Sequence, residues 1–416
     1  MKNKRLQKFS IKKTAFLTGV SKRQVDFQLI LLLIAVIALG ILILSSATLT
    51  LESNSHLQTQ IIATLLGMVV MFVLMYIDYR LWKKLHWLLY GISILLLVAT
   101  LIFGHGDTTW GAKSWLRIGP LNFQPAEFVK IWLVLCFAGW LEDHQETLNQ
   151  PIVLVKSLAY VGIPVGLILL QPDFGTAMVY LVFIAVMLFF ADLDWNYIFG
   201  AIGAVLLSLP FLYARLDNYQ KDRILDFMKP GENISGSGYQ AYEGRIAIGN
   251  GRFFGRGLYE GTQTQNNFIP TKETDFIYPV LVEELGFVGG FLLLLLYGGI
   301  IYRMFHISQL SKDRMGKLLV LGYGSIFIVH IWENIGMTLG LMPVTGIPLP
   351  FISYGGSFQL VNLAMIGLIL SVRFHRFNKK EKESNPIEEW ILEKYYDIGD
   401  YFDDKLHRER VRRMKK

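Results

Sequence analysis

The chain has 416 residues, of which 53% are hydrophobic and only 18% charged, with a formal net charge of +7. A soluble domain of ordinary composition carries about a quarter charged residues, so this balance excludes a water-soluble enzyme and points to a chain built for lipid. No nucleic-acid partner is expected.

Residues 1–26 carry eight Lys/Arg, from Lys2 to Arg23, and read as a basic cytoplasmic N-terminus. "FQLILLLIAVIALGILILSSATLTL" (27–51) follows, and it exceeds the roughly 20 apolar residues that cross a bilayer core. Only a helix satisfies the backbone of such a run in lipid. No small-residue cleavage site comes after it, so it is expected to remain as the first span. Further runs fall around 58–78, 83–103, 123–141, 153–170, 173–191, 195–214, 279–302, 317–340 and 350–372. The fold class is therefore an all-α polytopic membrane protein of about ten transmembrane helices. Pro164, Pro172 and Asp173 interrupt the pattern around the fifth to seventh.

Lys and Arg collect in the N-terminus, in "YRLWKKLH", in "YRMFHISQLSKDRMGK" and in the tail from Arg373, whereas 49–57, 171–174 and 341–349 have none. The positive-inside rule puts both termini in the cytoplasm. "EDHQETLNQP", between the fourth and fifth spans, is acidic and adds nothing to that asymmetry. The longest connection, 215–278, then lies outside, between the seventh and eighth spans. Its many glycines alternate with Tyr, Phe, Arg and Ile, as in a folded loop packed on the helices. Residues 374–416 form a charged cytoplasmic tail, amphipathic or disordered. Cys136 is the single cysteine, so no intramolecular disulfide can form. There is no GxxxxGK[ST] loop, HExxH or CxxC.

Four polar stretches gather at the expected outer edge. In "GAKSWLRIGPLNFQPAEFVKI" (111–131), Pro125 suits a first helical turn, and Glu127 and Lys130 share a helix face. They form either an ion pair that orients the span or part of a polar cavity with a cation for phosphate. Asp173 of "QPDFGTA" either caps a helix or joins that cavity. "GYQAYEGRIAIGNGRFFGRGLYEGTQTQNNFIP" (238–270) has glycines that permit close backbone approach. "LMPVTGIPLPFISYGGSFQLVNL" (341–363) is irregular before it re-enters a helix, which is tolerated at membrane depth only against protein or a cavity.

"FQPAEFVKI", "QPDFGTA", "TDFIYPVLVEELGFVGG" and "GIPLPFISYGG", in this order, resemble the SEDS family (shape, elongation, division and sporulation), the RodA/FtsW/SpoVE proteins. The likeness covers 27–373. "PVTGIPLPFISYGG" is closer to the RodA branch, because the division branch usually has Thr where Pro348 stands. The resemblance implies a bacterial plasma-membrane peptidoglycan glycosyltransferase that polymerises lipid II for elongation and cell shape. Its implied partners are a class B penicillin-binding protein and elongation-complex membrane proteins. The chain departs from the family pattern at Glu243-Gly244, at Gly249-Asn250-Gly251 and at Phe358, where Gln, Gly-Ser-Gly and Ser are usual.

The family's essential aspartate falls on Asp275. By this resemblance Asp275 is the general base that deprotonates the GlcNAc 4-hydroxyl for inverting attack on the MurNAc anomeric carbon. Lys130, Lys113, Arg117, Arg245 and Lys272 are candidates for holding the diphosphate, with a divalent cation (Mg or Mn) as an optional aid. Glu127, Asp173, Ser353 and Ser357 complete the expected substrate-binding set. Glu283 and Glu284, two turns into the eighth span, are expected to include one partner of a basic group. A lipid II flippase is the competing class, but it would need polar groups through the full depth of the membrane.

Overall fold

A computed structural model describes residues 25–51, 55–106, 113–118, 121–216, 218–229 and 238–376. The basic N-terminus through residue 24 and the tail from 377 lie outside the described residues. The chain is helical: α1 (Phe27–Ala47), α2 (Ser55–Tyr76), α3 (Leu81–Lys84), α4 (His86–Phe103), α5 (Pro125–Asp143), α6 (Pro151–Leu169), α7 (Phe174–Phe190), α8 (Trp195–Arg215), α9 (Asn218–Met228), α10 (Tyr239–Gly251), α11 (Thr262–Gln265), α12 (Ile277–Leu310), α13 (Arg314–Leu339) and α14 (Gly356–His375). A two-stranded antiparallel hairpin, β1 (Leu116–Ile118) and β2 (Leu121–Phe123), with Leu116 opposite Phe123, leads into α5.

Seven helices, α1, α2, α4, α6, α12, α13 and α14, are long and apolar enough to cross a membrane. The other three expected runs coincide with α5, α7 and α8. Helix α5 carries Glu127, Lys130, Glu142 and Asp143, and α7 and α8 offer shorter apolar stretches. The molecule is a multi-pass membrane protein.

Helix α13 packs against α12, α7, α5 and α10, while α14 lies along α2. The 18-residue windows of α13 and α14 are 72% and 83% buried, against 22% for α4, so α13 and α14 form the centre of the bundle. At the opposite extreme, Trp195, Phe199, Leu207 and Phe211 of α8 are exposed, as lipid-facing side chains would be. Arg303–Asp26 (2.5 Å), Arg80–Asp313 (2.6 Å) and Lys83–Glu142 (2.7 Å) join helix ends at one rim of the bundle.

Residues 238–276 of the long connection are folded onto the helices, and their glycines show why. A Cβ on Gly251 would stand 1.9 Å from the Val282 carbonyl oxygen, and one on Gly255 (φ +85°) would stand 2.0 Å from that of Glu284. Only glycine lets α10 and its exit approach α12 so closely. Helix α12 itself is broken at Gly286 (φ 68°, ψ −168°). There Arg256 N donates to Glu283 O, Gly257 N to Glu284 O, Phe287 N to Arg252 O and Val288 N to Phe253 O, at 2.9–3.1 Å. The loop therefore satisfies backbone groups that the break would otherwise orphan.

Glu283 and Glu284 are held by neutral donors and enter no ion pair among the described residues, contrary to the expectation of a basic partner. Glu283 accepts from Gln263 N (2.8 Å), Thr264 N (3.0 Å) and Thr264 Oγ1 (2.8 Å). Glu284 accepts from Ser46 Oγ and Gln265 Nε2. The reason is local: the start of α11 presents unpaired backbone N–H groups, which a carboxylate satisfies as a cap does.

Candidate active site

A cavity of about 990 Å³ opens where α5, α7, α9, α13 and the 341–357 segment converge. Helix α5 supplies its cation. Pro125 starts the helix behind Gln124, whose Nε2 donates to Asp173 Oδ2 (2.7 Å). Asp173 in turn caps α7 by accepting from Thr176 N (3.1 Å), so this residue both caps a helix and lines the cavity. One turn on, Lys130 Nζ lies 2.7 Å from Glu127 Oε2 and 3.2 Å from His330 Nε2. Nδ1 of His330 faces the Pro348 carbonyl (3.3 Å), the arrangement of an imidazole carrying its proton on Nδ1. Lys130 is 1% exposed yet borders the cavity, and the Phe358 ring lies 5.4 Å from it. A buried ammonium with one carboxylate and one imidazole partner is poised for an anion.

Asp275 lines the same cavity just before α12. Its main chain is fixed from three sides. Tyr354 N donates to Glu273 O (2.8 Å), Ser353 Oγ to Thr274 O (2.6 Å) and Asn334 Nδ2 to Asp275 O (2.8 Å). The same Asn334 amide reaches Ile347 O (2.7 Å), tying the Pro-rich segment to the aspartate's loop. Phe276 is buried with Ala247, Ile269 and Met337 and anchors the next residue. Gly346 turns with φ +77°, a conformation that favours glycine, beside the carboxylate: a Cβ there would stand 3.5 Å from Asp275 Oδ2, in ordinary contact. Desolvation in this recess pushes the Asp275 carboxyl up to about 6, with Arg223 opposing the rise and Glu273 adding to it. Arg223 is cavity-lining and donates to Val344 O (2.9 Å).

The structure thus brings Asp275, Glu127, Lys130, Asp173, Arg117 and Ser357 around one cavity. The other expected residues lie outside its lining. Lys113 is exposed beside the hairpin. Arg245 donates to Ala241 O (3.2 Å) and covers Gly340. Ser353 is a fully buried brace, accepting from Leu349 N (2.7 Å) while donating to Thr274. Lys272 is buried and donates to Thr50 Oγ1 (2.7 Å), Thr264 O (2.6 Å) and Asn267 Oδ1 (2.6 Å), and that burial lowers its pKa. Sequence reasoning passed over Arg223, His330, Glu333 and Asn334. The last three form "HIWEN" on α13, and their signal was polar residues at i, i+3 and i+4 inside an apolar span. The described residues bring together no group of three or more His, Cys, Asp or Glu that could hold a metal ion, so they form no metal cage of their own.

Comparison with known proteins follows the same outline. Residues 25–378 match the family described as "Cell cycle protein", FtsW/RodA/SpoVE. The "Probable peptidoglycan glycosyltransferase FtsW" of Trichlorobacter lovleyi is 34% identical over 356 residues, 83% of this chain and 92% of its own. The "Peptidoglycan glycosyltransferase MrdB" of Escherichia coli strain K12 is also 34% identical, over 359 residues, 85% of this chain and 95% of its own. Among solved structures, a chain of a peptidoglycan synthase complex that coordinates polymerization and crosslinking superposes with a TM-score of 0.74. It is 32% identical, and the match covers 85% of this chain and 99% of that one.

Proposed function

The chain belongs to the FtsW/RodA/SpoVE family and is a peptidoglycan glycosyltransferase, and from that premise we propose that it polymerises lipid II into glycan strands for cell-wall elongation. The observation that carries this reading is the placement of Asp275 on the same cavity as the buried Lys130–Glu127 pair. The reaction joins a poor nucleophile, the GlcNAc 4-hydroxyl, to a MurNAc anomeric carbon as a diphosphate departs. Asp275 takes the hydroxyl proton. The new C–O bond forms on the face opposite the leaving group, so the anomeric centre inverts without a protein nucleophile. Lys130, oriented by Glu127 and His330, compensates charge developing on the diphosphate, with Arg117 and Arg223 on the same cavity.

In this reading ten helices span the bacterial plasma membrane, both termini are cytoplasmic, and 215–278 lies outside, where lipid II presents its diphosphate. A class B penicillin-binding protein crosslinks the product, in company with elongation-complex membrane proteins; likeness to a chain of a synthase complex that coordinates polymerization and crosslinking supports that partnership. The test incubates the purified protein, with and without a transpeptidase, with labelled lipid II and resolves the products on a gel. Wild type should give polymer and Asp275→Asn none while still binding lipid II. Polymer from Asp275→Asn within a few-fold of wild type would remove the general base. Movement of lipid II across vesicles without any polymer would replace the polymerase with a flippase.

A further inference from the structure

One acidic side chain on the cavity has no part in the chemistry above. Glu333 is 2% exposed and lines the cavity, yet neither of its carboxylate oxygens has a hydrogen-bond partner among the described residues. No ion pair reaches it there either. Buried carboxylates are otherwise hydrogen-bonded or paired, because leaving one without a donor costs far more than leaving it in water. Its position is specific. On one turn of α13, His330 faces Lys130 (3.2 Å) and Asn334 donates to the Asp275 carbonyl (2.8 Å), and Glu333 lies between them in sequence. The two groups that the polymerase reading assigns to leaving group and base are thus joined by a turn that also carries an unpaired acceptor.

We infer that Glu333 is a substrate-binding residue whose carboxylate accepts hydrogen bonds from the hydroxyl or acetamido N–H groups of the lipid-linked disaccharide. The inference rests on the lipid II reading above. A donor in the fold would mark a structural role, and none reaches either carboxylate oxygen among the described residues. A divalent cation would require further carboxylate or imidazole ligands, and no group of three is assembled there. Sugar hydroxyls and acetamido groups need only a single acceptor, and they arrive with the substrate.

The test compares two probes on the full-length protein in lipid nanodiscs: lipid II, and undecaprenyl pyrophosphate, which keeps lipid and diphosphate but lacks both sugars. Glu333→Leu should raise KM for lipid II roughly tenfold or more, the loss expected for a charge-assisted hydrogen bond. Glu333→Gln, which retains one acceptor oxygen, should lose less. Inhibition by undecaprenyl pyrophosphate should stay within about twofold of wild type, and the melting temperature should hold or rise, because no partner in the fold is lost. Equal weakening toward both probes, a lower melting temperature, or rescue by raised Mg²⁺ would each overturn the assignment. Should wild type bind lipid II without polymerising it, the polymerase reading fails, while the two-probe binding comparison still decides the role of Glu333.

Discussion

Asp275 joins an ionisable group raised to about 6 with a main chain held by three donors. A general base must be ionised, so turnover should fall as the pH drops through about 6 and level off above it, as a pH–rate profile of polymer formation would read. The sign for stability is the reverse. A carboxyl whose folded pKa exceeds its unfolded value binds its proton more tightly when folded, so stability is lost as the pH rises through this window. Asp275→Asn should therefore melt no lower than wild type at pH 7.5 while making no polymer. Lys130 demands a different design. Removing it alone strands Glu127 in the interior, at a cost of about 3–5 kcal/mol. Lys130→Met with Glu127→Gln should recover most of that melting temperature but not the polymerisation rate; full activity in the double variant would make the pair structural only.

Between elements, one seam of hydrogen bonds runs from the 252–265 segment to the first turns of α12. Glu283→Ala strips acceptors from two backbone N–H groups and the Thr264 hydroxyl, and should cost about 1–3 kcal/mol for each buried donor left unsatisfied. Gly251→Ala forces a methyl group against the Val282 carbonyl and should destabilise by about 1–3 kcal/mol or more. Thermal melts in detergent check both, and unchanged melts would mean that the loop does not depend on this seam. The sequence made the loop's closeness legible through its glycines, but not its partners. Lys272 has the composition of a phosphate ligand, and only the fold shows its three donors used on Thr50, Thr264 and Asn267. The "HIWEN" turn showed its polar spacing locally but not its partner: Lys130 meets His330 200 positions away, and no local pattern encodes that meeting.

Across the whole molecule, the run lengths of apolar residues made the helices readable, because lipid demands a long, self-satisfied backbone. Arg223 was not readable, since its helix sits in a connection without a repeating apolar signal. Orientation has its own test. With Cys136 replaced, cysteines placed in 215–278 should react with an impermeant thiol reagent in intact cells, and those in the tail should not; the opposite labelling would invert the topology. The interruption at Gly286 carries a mechanical consequence. The loop binds both sides of the break, donating to the Glu283 and Glu284 carbonyls before it and accepting from the Phe287 and Val288 amides after it, so the bend is splinted and does not act as a free hinge. The joint is like a bone set under a splint: one loop holds the bend from both ends, next to the aspartate. Polymerisation rates should accordingly change little between vesicles of short-chain and long-chain lipids, because the loop and not the bilayer sets the bend beside the aspartate; rates that follow lipid length would mean that the splint gives way.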